Sequence, residues 1–278
     1  MSYHNILVHV DSTTAGSARL KLAIALAQRF EAQLTGLHVV SERDVPPLYK
    51  PSVVRRVAAD NSKIAIEAAE KAEIMFRNCV MNAALVTDYS RAEGSLPEQL
   101  RHAALFSDLV VIGQINNENP YDRSPFSLPE HLLNGCGTPV FVVPAELQAK
   151  EIGKTILIDW DGSAVAARTI RDALPFLRQA RSVKMVTVEA TDGRHAAGEV
   201  NSPAMIAHLA RHGVSVTAEQ VSPGKRHPGE TLLSCAADLR ADMIVMGAYT
   251  HMRLKEFFLG GGTREILKKM TIPVLMSQ

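Results

Sequence analysis

Thr155-Ile156-Leu157-Ile158-Asp159-Trp160-Asp161-Gly162 repeats, 150 residues on, the stretch Asn5-Ile6-Leu7-Val8-His9-Val10-Asp11-Ser12. Two further pairs follow at a smaller offset of 134. Ser107-Asp108-Leu109-Val110-Val111-Ile112-Gly113 returns as Ala241-Asp242-Met243-Ile244-Val245-Met246-Gly247, and Thr138-Pro139-Val140-Phe141-Val142-Val143 as Ile272-Pro273-Val274-Leu275-Met276-Ser277. The chain is therefore two copies of one unit, and such self-similarity is sought before any local reading. The drop from 150 to 134 leaves 16 extra residues in the first copy. They are placed between Glu42 and Asn61, where Pro46, Pro47 and Pro51 break regular structure. The copies meet near residues 145–153, giving domains 1–146 and 152–278.

Within each copy, strand-like and helix-like segments alternate. Ile6–Val10 is a short apolar run of the kind buried in a parallel sheet. Ser17–Phe30 sets Leu20, Ala23, Ile24, Ala27 and Phe30 on one helical face. Strands follow at Leu34–Val40, Ala84–Asp88, Leu109–Gly113 and Val140–Val143, with helices at Ser62–Asn78 and Pro97–Phe106. The second copy reads as strands Ile156–Asp159, Lys184–Glu189, Ser215–Gln220, Met243–Gly247 and Val274–Met276. Its helices are Ala164–Arg178, Ser202–Arg211, Thr231–Leu239 and Thr263–Lys269. This alternation predicts an α/β protein: two tandem, doubly wound, parallel five-stranded sheets with helices on both faces, Rossmann-like. Ligands in such sheets bind beyond the carboxyl ends of the strands, where the strand order switches. The last strands, Val140–Val143 and Val274–Met276, would lie at sheet edges. Unpaired edges are a liability, so these two are expected side by side and antiparallel in an internal pseudo-dimer, with a homodimer as a further association.

Composition narrows the function classes. The 278 residues carry 30 Lys and Arg against 29 Asp and Glu, a formal charge of +1, with 46% hydrophobic residues. That is the composition of a globular domain with an ample core. A near-neutral chain without a basic block cannot neutralise many phosphates, so no DNA or RNA partner is expected. Cys79, Cys136 and Cys235 are too few and too scattered for a disulfide framework or a cysteine zinc site. No apolar run reaches the roughly 18 residues of a membrane span. The start, Met1-Ser2-Tyr3-His4-Asn5, lacks a basic region. The expectation is a cytoplasmic protein with no membrane association.

The residues that invite a ligand lie past Met246-Gly247, at the end of the second copy's fourth strand. There Ala248-Tyr249-Thr250-His251 leads through Phe257-Phe258-Leu259 to Gly260-Gly261-Gly262-Thr263 and a helix. Glycines opening a helix let the backbone approach a ligand closely. The free N–H groups of the first turn, aided by the helix dipole, then face an anion. Thr263 is placed to cap the helix or to give its hydroxyl to a phosphate. Local sequence alone fits a tight loop equally well, and no Gly-Lys-Ser/Thr follows, so this is not a P-loop. In the first copy Phe126-Ser127-Leu128-Pro129 stands at the same offset. Phe126 would fill the space of Gly260, and Pro129 has no N–H to donate.

These residues resemble the universal stress proteins. Nucleotide-binding members carry Gly-x2-Gly-x9-Gly-Ser/Thr between the fourth strand and the last helix, and an Asp at the end of the first strand. Gly247 matches the first Gly and Gly260 the third, with the nine residues His251–Leu259 between. Asp161 matches the strand-one Asp near the adenosine end, and Val188 a backbone contact to adenine. Thr250 replaces the second Gly and Gly261 the Ser/Thr, with Thr263 two residues on as a substitute hydroxyl. The resemblance spans nearly the whole chain and looks like the tandem, two-domain type, with an adenine-nucleotide α-hydrolase-like fold. It implies a stress-response regulator holding ATP or a related adenine nucleotide, with or without Mg, in the C-terminal half only. The site residues are then Asp161, Val188, Met246, Gly247, Thr250, Gly260, Gly261, Gly262 and Thr263, with Asp11 left alone in the first half.

Other readings are weaker. One is a scaffold that binds no nucleotide and works through protein contacts or a small apolar ligand. Another is an ATPase, although no residue stands out as positioning an attacking water. His208 and His212 are four apart on a helix, but Leu209 stands at the general-base Glu position of His-Glu-x-x-His and no third ligand is evident, so a solvated face suits them better than zinc. Cys235 lies among Leu232, Leu233, Ala236 and Ala237 as core packing. A dehydrogenase reading lacks the strand–Gly-x-Gly-x-x-Gly–helix fingerprint.

Overall fold

A computed structural model describes residues 2–40, 51–114, 127–147, 151–189, 202–248 and 261–278, with side chains described from residue 63 in the second helix and from 262 in the last. The structure falls into two compact units, Tyr3–Val111 and a second built on Ile112–Gln278.

In the first unit β1 (Asn5–His9), α1 (Thr14–Phe30), β2 (Gln33–Val40), α2 (Pro51–Val80), β3 (Thr87–Glu93), α3 (Leu96–Ala104) and β4 (beginning at Leu109) follow in turn. The strands are parallel and ordered β3-β2-β1-β4. β1 runs down the middle, pairing Asn5–His9 with Gln33–Leu37 and Ile6–Val8 with Leu109–Val111. Its residues Ile6, Leu7 and Val8 are buried, as an apolar run in a covered sheet must be. The Asp of the repeated Ser107-Asp108 motif fixes where β1 begins: Asp108 Oδ2 accepts from the backbone N–H of His4 at 2.8 Å and Asn5 at 2.9 Å.

The second unit contains α4 (Leu128–Leu133), β5 (Val140–Val143), β6 (Thr155–Asp159), α5 (Ala164–Asp172), α6 (Leu174–Leu177) and β7 (Ser182–Val188). It continues with α7 (Ser202–Arg211), β8 (Thr217–Val221), α8 (Pro228–Leu239), β9 (Met243–Gly247), α9 (Gly261–Lys269) and β10 (Val274–Ser277). The order is β5-β10-β9-β6-β7-β8, parallel throughout except at one joint. There β10 pairs antiparallel with β5, Val274 opposite Val142, Leu275 opposite Phe141 and Met276 opposite Val140. This is the expected arrangement of the two final strands. The fifth strand of the first repeat is thus packed within the second compact unit, where Phe141 stacks on Phe176 at 5.6 Å. Asp242 plays the part of Asp108, accepting from the N–H groups of Gly153, Lys154 and Thr155.

Several elements depart from the sequence reading. Pro51 opens α2 rather than breaking it, because a first-turn proline lacks only an N–H that the helix leaves unpaired. β3 lies at Thr87–Glu93 and not at Ala84–Asp88, its alternating, polar pattern being that of an edge strand. α4 has no counterpart among the segments read for the first copy. The helix read as Ala164–Arg178 is two, parted at Ala173 ahead of Pro175.

Gly36 on β2 marks a point of close packing. A Cβ there would stand 2.5 Å from the ring of Phe76 on α2. Gly36→Ala is therefore expected to cost about 1–3 kcal/mol through overpacking. Phe76→Leu in the same chain should recover part of it. Urea unfolding of the single and double variants reads both values.

Candidate functional site

In the second unit the chain leaves β6 for β7 and β8 on one side, then returns to β9 and β10 on the other. The strand order therefore switches between β6 and β9, the place where a crevice opens at the strand ends of such sheets. Asp159, Trp160 and Asp161 lie at the end of β6, Met246 and Gly247 at the end of β9, and Val188 at the end of β7. The expected site residues Asp161, Val188, Met246 and Gly247 thus lie at the carboxyl ends of three neighbouring strands, β9, β6 and β7. Thr250 and Gly260 lie outside the described residues.

Asp161 stands at the turn into α5. Its Oδ1 accepts from Ser163 N at 2.9 Å, and the Ser163 hydroxyl caps the helix by accepting from Ala166 N at 3.0 Å. Among the described residues no cation pairs with Asp161. Asp159, two residues back, is nine-tenths buried. Burial and the neighbouring Asp161 push its carboxyl up to about 7.

The matching place in the first unit is built differently. Arg19, buried in α1, donates from Nη2 to Asp11 Oδ2 at 2.7 Å and from Nε to His9 O at 2.9 Å. Thr13 gives Asp11 Oδ1 both its N–H and its hydroxyl proton. Burial alone would raise the Asp11 carboxyl, but Arg19, His9 and Thr13 together hold it well below the usual carboxylate range. Asp11 is thus bound up in an internal ion pair. At the offset of 150 Arg19 corresponds to Thr169, which turns inward to donate its hydroxyl to Val165 O at 2.9 Å. The sequence reading missed this clamp, although an Arg eight residues after one Asp and a Thr after the other was its visible sign.

His9 belongs to the same cluster. Burial and the adjacent Arg19 lower it to about 3, against the weaker pull of Asp11. The unfolded chain takes a proton here near pH 6.5, and the folded chain refuses it. Stability should therefore fall as the pH drops below about 6.5, by at most about 1.4 kcal/mol per pH unit from this group. Replacing His9 by Gln should flatten that part of the profile, as denaturant melts between pH 7 and 4 will register.

The helix starts differ in the same sense. α9 begins at Gly261, so Gly262 and Thr263 lie inside its first turn and Thr263 does not cap it. Thr263 is buried. Among the described residues a Cβ on Gly262 would meet nothing nearer than Gly229 N at 3.7 Å. Gly229 on α8 is the reverse case: a Cβ there would lie 2.8 Å from Gly262 O. In the first repeat the start of α4 is closed by the chain itself. Ser127, the residue matching Gly261, donates its N–H to the Glu130 carboxylate, which is almost wholly buried. Pro129 follows as the second helical residue. Phe126, expected to fill this space, lies outside the described residues, and Glu130 is the group seen there. Ser127-Leu128-Pro129-Glu130 carries the capping spacing that would have announced it. At the offset of 134 Glu130 becomes Arg264, which has donors only and cannot close its own helix start. Its Nε lies 3.8 Å from Glu130 Oε1.

Other features do not converge on a site. The His208 and His212 rings meet edge to face at 4.7 Å, and Arg178 lies 3.2 Å from His212 Nδ1. Cys136 is buried, and Cys79 and Cys235 are half-buried free thiols. Among the described residues no helix is long and apolar enough to cross a membrane.

Sequence comparison accounts for the repeat. The model of the universal stress protein family matches the chain twice, over residues 2–144 and 153–278. The chain belongs to the universal stress protein family, as a tandem of two such units. It is 28% identical over 180 residues to the universal stress protein Slr1230 of Synechocystis, a match covering 60% of this chain and 57% of that protein's length. Among solved structures, a universal stress protein from Archaeoglobus fulgidus has a TM-score of 0.69 at 15% identity, covering 99% of this chain and 96% of that one. A functionally unknown protein from Pseudomonas aeruginosa PAO1 has a TM-score of 0.60 at 15% identity, over 99% and 92% of the two chains. At these identities the likeness is one of fold.

Proposed function

We propose that this universal stress protein is a stress-response regulator that binds one adenine nucleotide, ATP or a close relative, in its second repeat. The observation that carries this reading is the contrast between the two switch points. In the first, Asp11 is clamped by Arg19 and the helix start is closed by Glu130. In the second, Thr169 and Arg264 stand in their places, and neither supplies the missing partner.

The residues present fit such a ligand. The N–H groups of Gly261, Gly262 and Thr263 are first-turn donors with no helical partner of their own. A phosphate meets them without a Cβ at the first two positions, and the Thr263 hydroxyl adds a further donor. Oδ2 of Asp161, which has no partner among the described residues, suits ribose hydroxyl donors, and the backbone at Val188 the base. When bound, the nucleotide supplies negative charge and an aromatic ring whose contacts differ between bound and free protein. That difference is what a regulator needs to bias its partners.

Thermal unfolding with and without ATP and Mg tests the reading. A nucleotide at 100 times its Kd should add about 2.7 kcal/mol. No shift at millimolar nucleotide would instead support a scaffold without a nucleotide. Gly229→Ala offers a second check. By pressing on Gly262 O it should move the start of α9 and weaken ATP binding about tenfold or more, although Gly229 itself belongs to α8.

A further inference from the structure

The second compact unit contains two places that the offset of 134 makes equivalent, one beside Gln114 and one beside Ala248. At the first, Gln114 N–H donates to Val143 O at 2.7 Å. Its side-chain amide donates from Nε2 to Lys268 O at 2.9 Å and accepts through Oε1 from Ala145 N at 3.0 Å. One primary carboxamide thus bridges the last turn of α9 and the chain beyond β5.

At the second place Ala248 N–H donates to Ser277 O at 2.9 Å, the same bond that Gln114 makes to Val143. The backbone is set alike, but the side chain ends at a methyl group. Asn134, just past α4, stands where Lys268 stands, and Gln278 where Pro144 stands. A cleft of about 200 Å³ is found there, lined by Leu133, Asn134, Gly135, Gly137, Thr138 and Gln278. Gly135 and Gly137 take the places of Lys269 and Thr271. Gly137 has φ +67°, and its carbonyl is held by Arg168 Nη2 at 2.7 Å. Next to it the buried Cys136 gives its thiol hydrogen to Thr138 O at 3.2 Å. The lining is thus fixed by its own bonds, and a cavity of about 150 Å³ already accommodates benzene.

We infer that this cleft binds a small neutral molecule bearing a primary carboxamide. The ligand's amide takes the position that the Gln114 side chain holds at the equivalent place. Its N–H donates to Asn134 O, as Gln114 Nε2 does to Lys268 O. Its carbonyl oxygen accepts from donors on the lining, where the Thr138 hydroxyl and the side-chain amides of Asn134 and Gln278 are available in kind. An ammonium group has no acceptor and a carboxylate no donor, so neither reproduces this pair. The rest of the molecule lies over Gly135 and Gly137, whose small size leaves it room. The site is separate from the nucleotide reading and does not depend on it.

Propionamide reproduces the glutamine side chain from its Cβ outward and serves as the test compound. Titrated into the nitrogen-15-labelled chain, it should shift the amide signals of Asn134, Gly135, Gly137 and Thr138 with a Kd of about 1–10 mM. N,N-dimethylpropionamide, which has no N–H, and propionate should each bind about tenfold more weakly or worse. Ala248→Gln restores the residue of the equivalent place and should abolish these shifts. Because Ala248 is buried, Gly135→Met repeats the test at an exposed glycine whose φ is not positive. Gln114→Ala is the reverse experiment: it should create a second propionamide site, read at Lys268 and Ala145. The assignment is overturned by an absence of shifts up to about 100 mM propionamide, by equal binding of the dimethyl compound, or by shifts that survive in both Ala248→Gln and Gly135→Met. A Gln114→Ala chain that binds propionamide only at Lys268 and Ala145 overturns it as well.

Discussion

Titration of the purified chain with ATP and Mg should give one site per chain, and Gly262→Ala should remove it without harming the fold. Gly262 is the second residue of α9, and among the described residues a methyl group there meets only Gly229 N, at an ordinary 3.7 Å. Alanine is favoured over glycine in a helix by up to about 1 kcal/mol, so the variant should melt at or above the wild-type temperature. A phosphate oxygen must come within about 3 Å of the backbone N–H to bond to it, and the methyl group stands in that approach. Losing two hydrogen bonds to a charged group, at roughly 1.5–3 kcal/mol each, weakens binding a hundredfold or more. Gly261→Val should have the same effect with a larger side chain. Ser127→Val, at the matching place in the first repeat, should leave the titration unaltered, because Glu130 already holds that N–H. Two sites per chain, or a Gly262→Ala variant that binds normally, would refute the asymmetric site.

The second large effect belongs to the first repeat. Arg19→Met should destabilise the protein by about 3 kcal/mol at neutral pH, the low end for breaking a buried ion pair, since Asp11 is partly exposed. The guanidinium holds the Asp11 carboxyl below its ordinary range, so its contribution is present above about pH 4 and fades as the pH falls through and below that value. The gap between wild type and variant should narrow accordingly in denaturant melts at pH 3 to 4. Nucleotide affinity should not change. An Arg19→Met chain with wild-type stability at pH 7 would show that the pair contributes nothing net.

The central strands were legible because apolar runs such as Leu109–Gly113 and Val140–Val143 are buried on both faces and lack alternative readings. The edges were harder. β3 is Thr-Asp-Tyr-Ser-Arg-Ala-Glu, whose polarity serves an exposed edge and imitates a loop. Prolines misled in opposite directions: Pro51 begins a helix, whereas Pro175 divides one. Of the candidate site, the sequence itself marked the glycines, since backbone access leaves a local trace, and the family resemblance marked Asp161. What distinguishes the two repeats is tertiary. Arg19 reaches Asp11 only after α1 has folded back along β1, and among the described residues Asp161 has no such partner. Absences of that kind become visible only when the two copies are compared position by position.

The antiparallel joint of β5 with β10 has a consequence for how this chain responds to change. Two identical subunits meeting at a two-fold axis must accept every substitution twice, once on each side. Here the facing strands read Val-Phe-Val-Val and Val-Leu-Met-Ser, and a substitution falls on one side only. Because the strands share one polypeptide, dilution cannot part them, and the joint forms at the effective concentration of a tether. Freed from symmetry, one copy could take on Arg19 and Glu130 and harden into a support. The other carries Thr169 and Arg264 at the same two places.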